Sequence, residues 1–376
     1  MIEFKILKKS KKSKARIGFL KTEHGTLETP ALVPVATQAV VKTLTSEEVK
    51  ETKTQILICN SFYLHLRPGE VVIEKSGGLH KFMNWSGPLM TDSGGFQVFS
   101  WGFGRDFGVG KVLKAKKKEK IVLGQNPKSI KVEKDGVWFF SPFDGKKIFW
   151  RPEDSIRIQE KLGADIIFTF DECTPPLADY QYTKKSLLKT HAWAKICLKE
   201  KKSKQALFGI VQGGKYEDLR RESAKFIGSL PFDGFGIGGE FGQNKKRMKR
   251  MVELVNSFLP PEKPRHLLGI GYLEDISLLV ESGCDLFDCN VPTHYARRGI
   301  AFTSEGKIDL TKKIFLKKKE PLDKKCSCFV CQNYRQNYIC HLLRVKEITA
   351  FKLLTFHNLY FFNSYLEKIR QKIKNE

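Results

Sequence analysis

The run Ala206-Leu207-Phe208-Gly209-Ile210-Val211-Gln212 carries no charge and only one polar side chain, at its last position. Gly213-Gly214 ends it, and Tyr216–Ile227 follows with the spacing of an amphipathic helix. A strand that is apolar on both faces belongs in a parallel sheet covered by helices. The same unit recurs in both directions along the chain. Strand-like runs occupy Ala31–Ala36, Gln55–Asn60, Pro88–Asp92, Ile166–Asp171, Gly234–Gly239, His266–Gly271 and Leu286–Val291. Helical patterns fall between several of them, at Pro152–Leu162, Lys184–Lys201, Lys245–Phe258 and, shorter, Glu274–Ser282. Eight runs in succession predict an α/β fold with a closed (β/α)8 TIM-like barrel, the alternative being a doubly wound open sheet.

Two regions break the rhythm. Residues 102–150 are rich in Gly, Lys and Phe and read as a basic insertion with some β structure. Tyr338–Lys374 reads as one long helix with a basic face. The expected division is a catalytic barrel over 1–300 and a metal-binding subdomain with a C-terminal helix over 301–376.

The chain has 376 residues, 41% of them hydrophobic, enough for a substantial core. No apolar stretch is long enough to span a bilayer, and the N-terminus lacks the apolar segment of a secretory signal, so a cytoplasmic protein without a membrane partner is expected. Lys+Arg 66 against Asp+Glu 41 leaves a net charge of +25. That excess favours polyanions through counterion release, although lysine runs such as Lys8 to Lys14 read equally as solvated faces.

The polar residues cluster by position. Asn60, Asp92, Asp171, Gln212, Gly239 and Asp288 each fall at or just past the end of a predicted strand. In a parallel barrel those ends open on one face, where active sites of this architecture lie. A single Asp there is ordinarily a helix cap; several in succession define a site. In Asp92-Ser93-Gly94-Gly95-Phe96-Gln97 the glycines admit close backbone approach and Phe96 offers a ring to stack on. Asp171, near Cys173, can pair with the N–H donors of a base, and Gln212 can both donate and accept. Asp288 precedes the basic, aromatic segment Thr293-His294-Tyr295-Ala296-Arg297-Arg298, which suits an RNA backbone. Two carboxylates in one pocket equip a protein for chemistry at an anomeric carbon.

Cys326, Cys328 and Cys331 lie on one short loop, three of nine cysteines. With an imidazole from a later helix they make a closed tetrahedral site for one structural Zn2+ per chain. His357, His341 and Cys340 compete for the fourth position.

Taken in order, these motifs resemble the tRNA-guanine transglycosylases (queuine tRNA-ribosyltransferases), bacterial type. The pieces are Asn60, Asp92-Ser93-Gly94-Gly95-Phe96-Gln97, Asp171-Glu172-Cys173-Thr174, Gln212-Gly213-Gly214, Gly238-Gly239, Gly269-Ile270-Gly271, Asp288-Cys289 and Cys-x-Cys-x-x-Cys with a distant His-Asn. They span about 31 to 357. The resemblance implies a homodimeric enzyme that exchanges guanine at the tRNA wobble position for a 7-deazaguanine, with no nucleotide cofactor. It makes Asp288 the nucleophile, Asp92 the general acid/base, and Asn60, Ser93, Gly94, Gly95, Phe96, Asp171, Cys173, Gln212 and Gly239 the base pocket. It gives RNA contacts to Gly269, Ile270, Gly271, Tyr272, Leu273, Glu274 and Asp275, and to Thr293–Arg297, and it favours His357 as the fourth metal ligand. A non-catalytic tRNA-binding partner subunit is the alternative, and it would be expected to lack one of the two aspartates. Gly239-Glu240-Phe241-Gly242-Gln243 departs from the family pattern, so the incoming base is not readable.

Overall fold

The structure is a computed structural model that describes residues 2–99, 130–174, 178–238 and 244–376. All eight apolar runs form strands: Ala31–Ala36, Leu57–Cys59, Leu89–Thr91, Ile166–Phe168, Ala206–Val211, Gly234–Ile237, Arg265–Leu267 and Leu286–Cys289. Neighbours pair in parallel, and the eighth strand returns to the first, with Phe287 opposite Leu32 and Asp288 opposite Val33. The barrel is therefore closed, and the open doubly wound sheet is excluded.

The alternation of a strand, with both faces covered, explains why most positions in these runs are apolar. Val33, Ile58, Met90, Phe168, Phe208 and Ile210 fill the interior. Leu32, Leu57, Leu89, Ile167 and Leu207 point the other way, into the layer beneath the helices. The covering helices include Pro152–Leu162, Tyr180–Glu200, Glu217–Gly228, Lys245–Phe258 and Leu273–Glu281. The second starts earlier than its apolar pattern predicts, because the Asp179 side chain caps it by accepting the Tyr182 N–H.

The N-terminal lysine run is solvated as expected, with Lys9, Lys11, Lys12 and Lys14 exposed, but the segment around it carries strands that its sequence pattern does not predict. It forms a three-stranded antiparallel sheet of Glu3–Lys9, Arg16–Thr22 and Gly25–Thr29. Leu20 and Leu27 from this sheet join the interior cluster and stopper the barrel. Asp165, just before the fourth strand, fastens the stopper: its Oδ1 lies 2.8 Å from His24 Nδ1, and its Oδ2 lies 3.3 Å from His80 Nε2. Burial alone would raise the Asp165 pKa, but the bonds from His80, His24 and the Leu89 N–H hold it at about 2.

Residues 130–150 of the insertion form a second antiparallel sheet, Ile130–Val132, Val137–Phe140 and Lys147–Trp150; 102–129 lie outside the described residues. The expected single C-terminal helix is two, Gln336–Arg344 and Ile348–Lys374. Lys346, at a φ of 61°, turns the chain between them. The longer helix runs back along the barrel, where Asn363 Nδ2 donates to Thr52 O at 2.8 Å and Arg370 Nη1 to Pro30 O at 2.8 Å. Among the described residues no helix is long and apolar enough to cross a membrane.

Candidate active site

A cavity of about 970 Å³ opens at the C-terminal ends of the barrel strands, and both Asp92 and Asp288 line it. Asn60, Ser93, Phe96, Asp171, Cys173 and Gln212 line it too. The pocket residues expected from the strand ends are thus largely assembled in one place. Gly239 lies outside the described residues.

Asp92 follows the third strand directly. Its Oδ1 accepts the N–H groups of Ser61 at 3.0 Å and Gly94 at 3.2 Å. Asn60 Nδ2 donates to Oδ2 at 2.5 Å. Asn60 is itself fixed by its place in the chain, because its Oδ1 caps the helix Ser61–Leu66 by accepting the Tyr63 N–H. Burial pushes the Asp92 pKa up to about 7, against the Ser61 and Gly94 N–H groups, and the charge of Asp288 adds to the rise. A carboxyl titrating there can give and take a proton at neutral pH.

Asp171 and Gln212 form one wall. Gln212 Nε2 donates to Asp171 Oδ2 at 2.6 Å, and Ser93 Oγ lies 3.4 Å from Asp171 Oδ1. Both residues are buried. Gln212 Oε1 is buried with no hydrogen-bond partner among the described residues, so the wall holds an acceptor that an N–H of a bound base would satisfy. Two glycines make room for this arrangement. A Cβ at Gly95 would stand 2.8 Å from Asp171 O, and one at Gly238 would stand 2.8 Å from Gln212 Nε2.

Asp288 faces the cavity from the eighth strand. Its Oδ1 accepts the Gly269 N–H at 2.8 Å and lies 2.9 Å from His266 Nε2. Gly269 therefore serves the carboxylate as well as the rim. Of the segment expected to meet RNA, Asp275 is paired with Lys245 at 2.6 Å and Glu274 with Lys307 at 3.7 Å. Gly271 and Tyr272 line the cavity. Thr293–Arg297 reads as a loop but folds as the short helix Val291–Ala296 with Arg297 as its cap; Pro292 in its first turn suits that start. Thr293 and Ala296 are buried in it, while His294, Tyr295 and Arg297 are partly exposed and Arg298 is exposed.

Cys326, Cys328, Cys331 and His357 come together. His357 Nδ1 lies 3.9, 3.4 and 3.3 Å from the three sulfurs in that order. A tetrahedral ion with bonds of about 2.0 to 2.3 Å separates its ligands by roughly 3.6 Å, so the four residues could hold one metal ion. His357 Nε2–H donates to Phe302 O at 2.7 Å, which leaves Nδ1 as the ligand atom. His341 is exposed and Cys340 Sγ points to Lys312 O, which leaves the fourth place to His357. His24, His80 and Asp165 form a second cluster of ligand type at the other end of the barrel. Its imidazoles are stacked with centroids 3.5 Å apart and planes 15° from parallel. One ion cannot lie in both ring planes, so that cluster is a hydrogen-bonded clamp.

Three contributors escaped the sequence. His266 reaches Asp288 from the seventh strand; a polar residue at an inward position of an otherwise apolar barrel strand was the available signal. Ser61 acts through its backbone N–H, which no side-chain motif reports. Phe143, from the described part of the insertion, lines the cavity, and Arg67 stacks over its ring at 4.3 Å.

The model of the family described as "Queuine tRNA-ribosyltransferase" matches residues 10–376. The queuine tRNA-ribosyltransferase of Caldanaerobacter subterraneus subsp. tengcongensis is 45% identical, over 100% of this chain and 94% of its own length. That of Thermoanaerobacter pseudethanolicus is 44% identical over the same shares. A relative from Archaeoglobus fulgidus is 45% identical over 95% of this chain and 93% of its own length. With two carboxylates in one barrel cavity and a match of this extent, the chain belongs to the queuine tRNA-ribosyltransferase family.

Proposed function

We propose that the protein is a tRNA-guanine transglycosylase that exchanges guanine at the wobble position for a 7-deazaguanine through a covalent aspartyl-ribose intermediate. The observation that carries this reading is the shared cavity of Asp92 and Asp288, in which the one has its pKa pushed up to about 7 and the other is held by N–H donors. The target nucleotide leaves its stack to reach such a pocket. Its base lies against Phe96, with its edge toward Asp171 and Gln212.

A carboxylate oxygen of Asp288 bonds to C1′ of the ribose while the C1′–N9 bond breaks, and its electron pair leaves with the guanine. Asp92 delivers the proton that N9 takes up. Guanine then gives way to the incoming base. Asp92 removes a proton from that base, its nitrogen attacks C1′, and the bond to Asp288 breaks with return of the carboxylate. Two inversions restore the original configuration, and no energy carrier enters the balance. The charges of the site favour this order. While Asp288 is ionised it raises the pKa of Asp92 and keeps it an acid; once Asp288 is esterified that influence lifts, and Asp92 becomes a base.

The net charge of +25 suits a tRNA backbone. The Cys326, Cys328, Cys331 and His357 site fits a structural Zn2+, since three thiolates and one imidazole leave no open coordination position. Homodimers are the assembly we infer. A non-catalytic tRNA-binding subunit is the second reading, and the presence of both aspartates weighs against it.

Radiolabelled guanine exchange on bulk tRNA, with candidate 7-deazaguanines competing, tests the proposal. Incorporation with displacement of guanine is expected. Release of guanine into water without incorporation would replace this reading with hydrolysis.

A further inference from the structure

We propose that His266 is the positioning residue of the nucleophile: its Nε2–H, together with the Gly269 N–H, holds the Asp288 carboxylate in the orientation in which it meets the ribose. The inference rests on the reading of Asp288 as the nucleophile.

His266 is fully buried on the seventh strand, between Gly236 and Leu286 in register. The ring of Phe168 meets it edge-on, with centroids 5.5 Å apart at 62°. Its Nε2 lies 2.9 Å from Asp288 Oδ1, and the Gly269 N–H reaches the same oxygen at 2.8 Å. Its Nδ1 is buried with no hydrogen-bond partner among the described residues.

These surroundings assign the proton. On Nε2 it bonds to the carboxylate and leaves only an unpaired acceptor at Nδ1. On Nδ1 it would be a buried donor without an acceptor, and Nε2 would turn a lone pair toward Asp288. The ring is therefore a donor to Oδ1. With two N–H groups on Oδ1, the plane and direction of the carboxylate toward C1′ are set. A nucleophile so oriented starts close to its attack geometry, and a misplacement of about 1 Å costs on the order of 10²-fold in rate.

The test uses three variants of the full chain. His266→Gln keeps an N–H donor at a reach similar to Nε2. His266→Leu removes it. His266→Asn keeps an amide that falls short of Asp288. We expect kcat for guanine exchange to fall on the order of 10²-fold in the Leu and Asn variants. KM for tRNA should be unchanged, and the Gln variant should keep most of the activity. Wild-type kcat in the Asn variant, a loss confined to KM, or a Gln variant as impaired as the other two overturns the assignment. Asp288→Ala separates this from the underlying reading. If that variant still traps tRNA in a denaturation-resistant complex, the nucleophile itself is misassigned. If it does not, and the His266 variants are active, only the role of His266 falls.

Discussion

His357 and Asn358 are consecutive on the C-terminal helix and grip the two ends of one peptide residue. His357 Nε2–H donates to Phe302 O at 2.7 Å, and Asn358 Oδ1 accepts the Phe302 N–H at 3.0 Å. Asn358 Nδ2 also donates to Pro292 O at 3.0 Å. Pro292 lies in the helix Val291–Ala296, which begins three residues after Asp288. The residue that completes the Cys3His cluster thus shares a helical turn with one that holds the backbone behind Asp288, the proposed nucleophile.

Removing the metal should therefore reach beyond its own loop. Without an ion, three sulfurs remain crowded around one buried imidazole, and binding energy that belongs to folding is lost. Cys328→Ala, or exhaustive chelation, is expected to lower the melting temperature by on the order of 10 °C. Exchange activity should fall with it, through Asn358. A metal-free protein with an unchanged melting temperature would contradict the structural role.

Asp288→Ala is expected to lower exchange by on the order of 10⁴-fold or more, since the cavity's other carboxylates among the described residues, Asp92 and Asp171, are engaged by Ser61 and Gly94 and by Gln212. Its tRNA affinity should change little, because the charge excess that meets phosphates lies elsewhere. A denaturing gel reports the adduct, and filter binding reports the affinity. Substantial exchange by the variant would count against the assigned nucleophile.

The sign of the pH dependence follows from the raised pKa of Asp92, about 7. Adduct formation with loss of guanine uses the protonated acid, so its single-turnover rate should be high below pH 7 and fall roughly tenfold per unit above it. Transfer from the preformed adduct to an incoming base uses the carboxylate and should fail in the opposite direction, as pH drops. Rates measured separately for the two half-reactions check this. A fall in both on the alkaline side would remove Asp92 from the second role, that of base.

How far this site was legible depends on what carried each part. The eight strands announced themselves because both faces of each are buried, which leaves uninterrupted apolar runs such as Ala206–Val211. Asp92, Asp171, Gln212 and Asp288 stood out because each interrupts such a run at its end. The N-terminal sheet did not, since Glu3–Lys9 buries only Phe4, Ile6 and Lys8 in part and its lysines disguise the alternation. The break at Lys346 rests on one residue of positive φ, which no periodicity reveals. His266 was hidden for another reason: its partner is 22 residues away and meets it only through barrel register.

Gln212→Leu tests the base wall. It removes the buried Oε1 acceptor and withdraws the Nε2–H from Asp171. An unmatched polar group costs about 1–3 kcal/mol, so KM for free guanine should rise roughly 10- to 100-fold. Competition by guanine against a 7-deazaguanine reads the change. A KM that stays put would place the base elsewhere in the cavity.

Gly95→Ala makes the finer test of the same wall, because it adds one methyl group and removes no functional side chain. Gly95 is not among the glycines of positive φ, so alanine brings no backbone strain there. Its effect must come through contact. The new Cβ would stand 2.8 Å from Asp171 O, 3.1 Å from Asp171 Oδ1 and 3.2 Å from Ser93 Oγ. The first of these is backbone and cannot swing aside, so the loop that carries Asp171 has to shift. Overpacking of this kind costs about 1–3 kcal/mol. Since Asp171 is held by Gln212 and Ser93, the displacement passes to the whole hydrogen-bonding edge. The donors to Asp92, which are Asn60 Nδ2 and the Ser61 and Gly94 N–H groups, are not among the atoms nearest the new methyl group, so Asp92 keeps its geometry. The expected result is a KM for guanine raised roughly tenfold, with the alkaline fall of adduct formation still centred near pH 7. A shifted alkaline fall with an unchanged KM would mean that the methyl disturbs Asp92 instead, and that Gly95 guards the proton-transfer side of the cavity.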